Sequence, residues 1–265
     1  MPLRDSDVTV KRHNFNAFAF ENLDAEPIDA EMWNTEDYLA LYLEYDQNNR
    51  PIAYGGPLQE YGNYTMEQIL WHWLEPAKGQ EATPFAAELH ILFYHINYRK
   101  LIKSKGNPYY SCMAMVFPFK VVQETRLRFF SEISQLLPML RTPSEVVFVP
   151  NHTIPLLAEL INGNISQFYS YQGATCYTDN RREVTWFDFI SPIEVGIDFA
   201  QQMEYIEAKD HTPIIKKLVK QESPQGVILK SFDNSGVTEN IVAAVWLFIL
   251  FFVRAQIQEQ AFNVN

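Results

Sequence analysis

Cysteine, glycine and cationic side chains are all scarce in this sequence of 265 residues. Cysteine occurs only as Cys112 and Cys176, which gives no sign of a disulfide framework. The ten glycines do not form a glycine-rich phosphate loop. The sequence has 21 Lys and Arg but 32 Asp and Glu, so its net charge is −11. This charge argues against nucleic acid as a partner.

Long apolar runs are also rare, and the most continuous one is Ile241–Val253, which Arg254 follows directly. A spanning helix usually needs ~20 apolar residues, and shorter runs are more often buried helices or re-entrant segments. Glu239 and Arg254 can snorkel at the two ends, however, so we expect Ile241–Val253 to be a short membrane anchor. Residues 233–240 then form a linker, and residues 254–265 form a polar tail.

The first residues, Met1–Asp7, are polar and charged, unlike a signal peptide. Glycosylation sequons begin at Asn63, Asn151 and Asn164, as in a glycoprotein of the secretory route. We therefore expect a membrane-associated or secretory location, and the cytoplasm is the alternative because no signal peptide is present.

Alternating apolar and polar residues over Tyr38–Leu43, Met113–Phe117 and Val184–Phe189 predict strands. Helical periodicity is confined mainly to Val122–Leu140 and Phe199–Ala208. With 47% hydrophobic residues, the chain can bury one sizeable core. We predict a mainly β (α+β) domain over residues 1–232, a sheet decorated by short peripheral helices.

Two segments carry the residues of a metal site, Gln68–Trp73 (QILWHW) and Ala87–His90 (AELH). Residues two apart on a strand point to the same face of the sheet. Positions 70 and 72 would therefore converge with His90 on a neighbouring strand as a three-ligand cup. Only His72 and His90 are histidines, because position 70 is Leu70.

These segments resemble the alpha-carbonic anhydrase family, whose pattern is a His-x-His-Trp strand followed by a Glu-x-His strand. Gly55–Leu58 matches the family's Gly-Gly-Pro-Leu turn, Tyr171–Ala174 its Tyr-Pro-Gly-Ser loop, and Val184–Trp186 its Val-Thr-Trp strand. The resemblance runs from about residue 1 to about residue 231. It implies a central, twisted, mostly antiparallel sheet of about ten strands with a cleft above the two histidines. The family normally has a further leading segment before Pro2, so we expect a truncated product or a domain without that lobe.

The resemblance also implies roles for single residues. His72 and His90 keep two metal-ligand positions, and Leu70 replaces the third. Gln68 is similar to the residue that orients the lost ligand, and Glu88 to the residue that hydrogen-bonds the ligand at the position of His90. Such partners orient metal ligands and raise their basicity.

Other catalytic positions of the family are altered. Glu81 is similar to the glutamate of the family's hydroxyl gate, but Cys176 stands at the threonine position, and a thiol is a poor substitute for a hydroxyl. The proton-shuttle histidine falls at Glu36 or Asp37. Met115 matches a valine that lines the substrate pocket; it would crowd that pocket, although core filling explains it equally well.

These departures predict a carbonic anhydrase-related protein with a degenerate zinc site. Leucine has no lone pair, so we expect zinc to be held weakly or not at all, and CO2 hydration to be lost. The domain would then be a binding module for an unknown protein partner. The alternative is a weakly active zinc lyase that converts CO2 reversibly to bicarbonate. We expect the other histidines to be surface or loop residues: His13, His95, His152 and His211.

Overall fold

The computed structural model describes residues 10–13, 17–58, 62–73, 87–97, 112–124, 126–150, 157–161, 165–175, 182–214 and 225–231. The chain divides into two compact units, Met1–Ser231 and Phe232–Asn265. The second unit lies outside the described residues, so the linker, the anchor Ile241–Val253 and the polar tail stay predictions. Among the described residues, no helix has both the length and the apolarity needed to cross a membrane.

Strands dominate the described part of the chain and form one large, open sheet. Their bounds are β1 Val10–His13, β2 Phe18–Glu21, β3 Asp29–Asn34, β4 Leu39–Glu44, β5 Ile52–Gly55, β6 Tyr64–Trp73, β7 Ala87–His95, β8 Cys112–Val122, β9 Val146–Phe148, β10 Phe168–Thr175, β11 Arg182–Phe189, β12 Ile193–Gly196 and β13 Gln225–Ser231. The three predicted strands correspond to β4, β8 and β11.

The main path of the sheet has ten strands, in the order β1-β13-β10-β11-β8-β7-β6-β4-β3-β9. Beside this path, β12 pairs with β8, and β5 pairs with both β2 and β6. The pairings β1/β13, β8/β11 and β8/β12 are parallel, and the other described pairings are antiparallel. The predicted mainly β fold with a mostly antiparallel sheet of about ten strands is confirmed.

Both faces of the central strands are covered, so nearly every residue of β7 and of the first half of β8 is buried, instead of every second one. The larger side, here called the back core, is rich in aromatic residues, among them Trp71, Phe93, Phe129 and Phe187. The smaller side, here called the front cluster, contains Ala40, Leu70, Leu92, Cys112, Ala114, Val116, Tyr169, Tyr171, Val184 and Trp186.

Short helices cover the sheet: α1 Arg128–Leu136, α2 Leu157–Ile161 and α3 Ile197–Met203, with 3-10 turns at Gly56–Leu58 and Leu137–Leu140. The predicted helix over Val122–Leu140 begins six residues too early, because β12 pairs with the end of β8 and keeps Val122 in the sheet. The predicted helix to Ala208 ends at Met203 instead. The backbone turns after Met203, and the Ala208 N–H donates forward to the Thr212 carbonyl at 2.8 Å instead of continuing the helix.

Candidate functional site

Strand register brings the predicted metal positions together on the front of the sheet. Leu70 on β6 lies directly opposite His90 on β7, and His72 lies opposite Glu88. Gln68, two residues before Leu70, is opposite Leu92 of the front cluster. The three positions that resemble zinc ligands therefore share one face, and Gln68 and Glu88 share it with them.

The two histidines are packed ring against ring. The centroids of His72 and His90 are 4.6 Å apart, and both side chains are buried. Tyr38 lies 5.1 Å from the His72 ring, and Trp186 meets the His90 ring edge-on at 5.5 Å. Burial, and then the charge of His90, hold the pKa of His72 well below its usual range. The His72 imidazole is therefore neutral at pH 7, which is the form that can bind a metal.

Glu88 fixes the ring of His90. The Glu88 Oε2 and His90 Nε2 atoms are 3.1 Å apart, and both side chains are buried. Because this contact uses Nε2, a metal would have to bind His90 through Nδ1. A carboxylate partner on the second ring nitrogen is the usual arrangement for a metal-binding histidine.

Leu70, at the position that resembles the third ligand, has a fully buried apolar side chain. It packs in the front cluster, opposite His90 on one side and Ala40 on the other. Within the described ranges, no three His, Cys, Asp or Glu side chains are grouped so as to hold a metal ion. The donors present therefore do not fit a three-imidazole zinc site. Glu81 and Cys176 lie outside the described residues, and their roles stay predictions.

A buried carboxyl group that the sequence analysis missed lies beside this site. The Tyr171 hydroxyl is 3.2 Å from Oδ1 and 3.1 Å from Oδ2 of Asp188, and both side chains are buried. Burial, and then the charge of Glu88, raise the pKa of Asp188 well above its usual range, while the Tyr171 hydroxyl acts in the opposite direction. The signal in the sequence was a carboxylate, Asp188, inside the predicted strand Val184–Phe189.

Met115 does not line the front of the sheet. Its side chain lies in the back core, and its neighbours Ala114 and Val116 face the front cluster instead. Neighbouring residues on a strand point to opposite faces of the sheet. An error of one residue in matching the family's valine to Met115 therefore assigns the side chain to the wrong face. The expected crowding of the pocket by Met115 is therefore wrong, and core filling is right.

His95 is also not a surface residue. Its side chain is buried against Tyr64, with ring centroids 5.3 Å apart, and its Nδ1 accepts the Asn97 backbone N–H at 2.9 Å. His211 is exposed, as expected, and its Nδ1 is 2.9 Å from Glu207 Oε2. His152 and the side chain of His13 lie outside the described residues.

Carboxylates occupy both candidate positions of the proton shuttle. Glu36 has a left-handed backbone, with φ 79°, and lies 3.1 Å from Lys209 Nζ. The Ser144 hydroxyl donates to Glu36 at 2.7 Å, and this bond, followed by that of Lys209, lowers the pKa of Glu36. Asp37 is exposed. Neither position therefore carries the imidazole of a proton-shuttle histidine.

A family model described as eukaryotic-type carbonic anhydrase matches residues 3–223. The chain belongs to this family. The match contains both histidine strands and ends before the apolar run Ile241–Val253. The family normally binds zinc, and membership implies, without showing, lyase chemistry. A search of the curated proteins gives no match.

Proposed function

We propose that this carbonic anhydrase-family domain has a degenerate zinc site, lacks CO2 hydration activity, and serves as a binding module for another protein. The observation that carries the proposal is Leu70. Catalytic zinc needs three protein ligands and an open position for water. A buried leucine at one of these positions supplies no electron pair, and the apolar groups around it stabilise leucine there.

Changes elsewhere in the site support the same conclusion. The proton-shuttle position carries Glu36 or Asp37 instead of histidine, and the gate threonine is replaced by Cys176. Each change removes a different part of the family's chemistry: the proton shuttle in the first case and the hydroxyl gate in the second.

The retained parts of the site favour one alternative, a weakly active zinc-dependent carbonic anhydrase. The neutral imidazole of His72 and the contact between Glu88 and His90 are what a metal ligand pair requires. A third ligand would then have to come from a residue outside the described ranges, with Glu81 as the candidate.

Metal analysis combined with a CO2 hydration assay separates the two functions. We expect the purified full chain to contain far less than one zinc per molecule, and to show no hydration above buffer at neutral pH when zinc is added. Zinc-dependent turnover that a sulfonamide abolishes would establish the enzyme instead.

A further inference from the structure

Among the described strands, β9 is the last one on its side of the sheet, and half of its backbone points away from the sheet. The Glu145 carbonyl and the Val149 N–H each bond the backbone of β3 at 2.9 Å. Alternate residues of an antiparallel strand turn their backbone groups to the same neighbour. Val146 and Phe148 therefore turn their N–H and C=O groups outward, and none of the described strands pairs with that edge.

Apolar side chains beside this edge are exposed. Phe148 is 69% exposed, and Val146 and Trp33 are each 39% exposed. Tyr42 is 38% exposed, and its ring lies 5.7 Å from that of Trp33. These four residues, here called the β9 strip, share one face of the sheet. Trp33 lies opposite Val146, and Phe148 and Tyr42 both lie opposite Glu31. An exposed edge with apolar side chains is a template for an added strand.

Carboxylates surround the β9 strip. Asp29 lies directly opposite Glu44, and Glu31 lies opposite Tyr42. Burial, and then the charge of Glu67, raise the pKa of Tyr42, so the Glu67 carboxylate also lies close to this face. Among the described residues, none of these four acids forms an ion pair. Like charges directly opposite each other destabilise a sheet, and a cation placed between them would remove that cost.

We propose that the β9 strip binds an extended segment of a partner protein, in which Lys or Arg alternates with apolar residues, and that this segment adds a strand to the sheet. Its backbone would pair with the outward groups of β9, its apolar side chains would cover Phe148 and Val146, and its cations would meet the carboxylates and the faces of Trp33 and Tyr42. This inference rests on the proposed function, because it names the class of partner that the binding module would take.

A second copy of the chain fits this edge less well. Pairing β9 with β9 would bring the acidic surroundings of one copy against those of the other, in a chain whose net charge is already −11. Such a contact brings like charges together and is opposed at low salt. A basic segment has the complementary charge.

Binding of a defined peptide to the full-length chain tests the proposal. The probe is a short, dye-labelled peptide of alternating lysine and valine, followed by fluorescence anisotropy. We expect saturable binding that weakens as salt is raised, because exposed charge pairs are screened. A peptide with glutamate in place of lysine should not bind, and neither should a lysine peptide whose alternate amides are N-methylated, since it lacks the backbone donors.

Two variants locate the site. We expect Phe148→Ser to weaken binding about tenfold or more, the effect of losing a central apolar contact. Ile96→Ser removes an equally apolar exposed side chain at the end of β7 and should leave binding unchanged. Glu44→Gln should make peptide binding less sensitive to salt. Its control is Glu204→Gln, which removes an exposed carboxylate just after α3.

Three results would overturn the inference: no binding of the lysine peptide, equal binding of the N-methylated peptide, or equal binding to the Phe148→Ser chain. A dimer that Phe148→Ser dissociates would identify a second copy as the occupant and would also overturn it. The hydration assay on the same samples is independent of these outcomes. Activity would reject the proposed function, whereas absent peptide binding in an inactive chain rejects only this site.

Discussion

In the proposed function, the side chain at position 70 decides whether the front of the sheet can hold zinc. Leu70 is opposite His90 and two residues before His72, so an imidazole at position 70 would complete the ligand set. The contact between Glu88 and His90 is already in place. On this proposal the scaffold needs only a donor at position 70, because Glu88 still holds the ring of His90.

Leu70→His should therefore restore zinc binding. Structural zinc contributes about 10–16 kcal/mol over four ligands, so one added imidazole is worth about 3 kcal/mol, or roughly a 100-fold gain in affinity. Competition with a chelating dye measures this change. The double variant Leu70→His with His90→Ala is the control and should lose the gain. Unchanged affinity in Leu70→His would mean that the front of the sheet no longer accommodates the metal.

The ionised form of Asp188 lowers the free energy of unfolding, and the size of this effect depends on pH. Burial, and then the charge of Glu88, raise the pKa of Asp188 in the folded protein well above the ordinary range of an aspartate. Between the ordinary and the raised pKa, the folded state binds more protons than the unfolded state. The free energy of unfolding therefore falls as pH rises through that window, and the full cost is present above it.

Asp188→Asn should make the domain more stable than the wild type at neutral pH. The amide cannot ionise, and its oxygen still accepts the Tyr171 hydroxyl. An increase of about 1 kcal/mol corresponds to roughly 2–4 °C in Tm for a domain of this size. The two melting temperatures should converge as pH is lowered toward the ordinary carboxyl pKa. A lower Tm for Asp188→Asn at neutral pH would contradict this account.

At the scale of the elements, the sharp end of β5 depends on a glycine. Gly55 has φ +77°, and a Cβ built on it would lie 2.8 Å from the Ala17 carbonyl oxygen. The Gly56 N–H donates to this same oxygen at 3.0 Å. The close backbone contact fixes β5 against β2 and leads the chain into the 3-10 turn Gly56–Leu58.

Gly55→Ala should consequently lower the stability of the domain by about 1–3 kcal/mol, because alanine is strained at this φ and its Cβ meets backbone that cannot move away freely. Thermal unfolding followed by circular dichroism measures the loss. An unchanged Tm would show that β2 and the turn adjust without cost.

At the scale of the whole molecule, the apolar run Ile241–Val253 lies beyond the residues that match the family. If it formed a helix, that helix would be apolar on every side, and an exposed patch of that size drives association or membrane binding. We expect the full chain to partition into detergent, whereas a chain that ends at Phe232 should be soluble and folded.

Phase separation in detergent and size-exclusion chromatography compare these two chains. The matched control replaces three central residues of the run, Leu247, Phe248 and Ile249, with serine and should behave like the shortened chain. A full chain that stays monomeric in plain buffer would exclude the anchor.

The sequence by itself determined several of the strands, among them β4, β8 and β11, and indicated which residues could belong to a metal site. Alternation over Tyr38–Leu43 and the spacing of positions 70 and 72 are local properties, and strand geometry follows from them directly. The order of the motifs along the chain was enough to predict the fold, because the family model and the strand order agree with it.

Tertiary structure alone decided what each buried residue faces. Both sides of the central sheet are apolar, so no local pattern could assign Met115 to the back core and Ala114 to the front cluster. The contact between Tyr171 and Asp188 depends on the register of β10 and β11. The position of β9 at the end of the described sheet depends on the order of the strands. Register and strand order are set by pairing between segments far apart in the chain, and these pairings cannot be read from either segment alone.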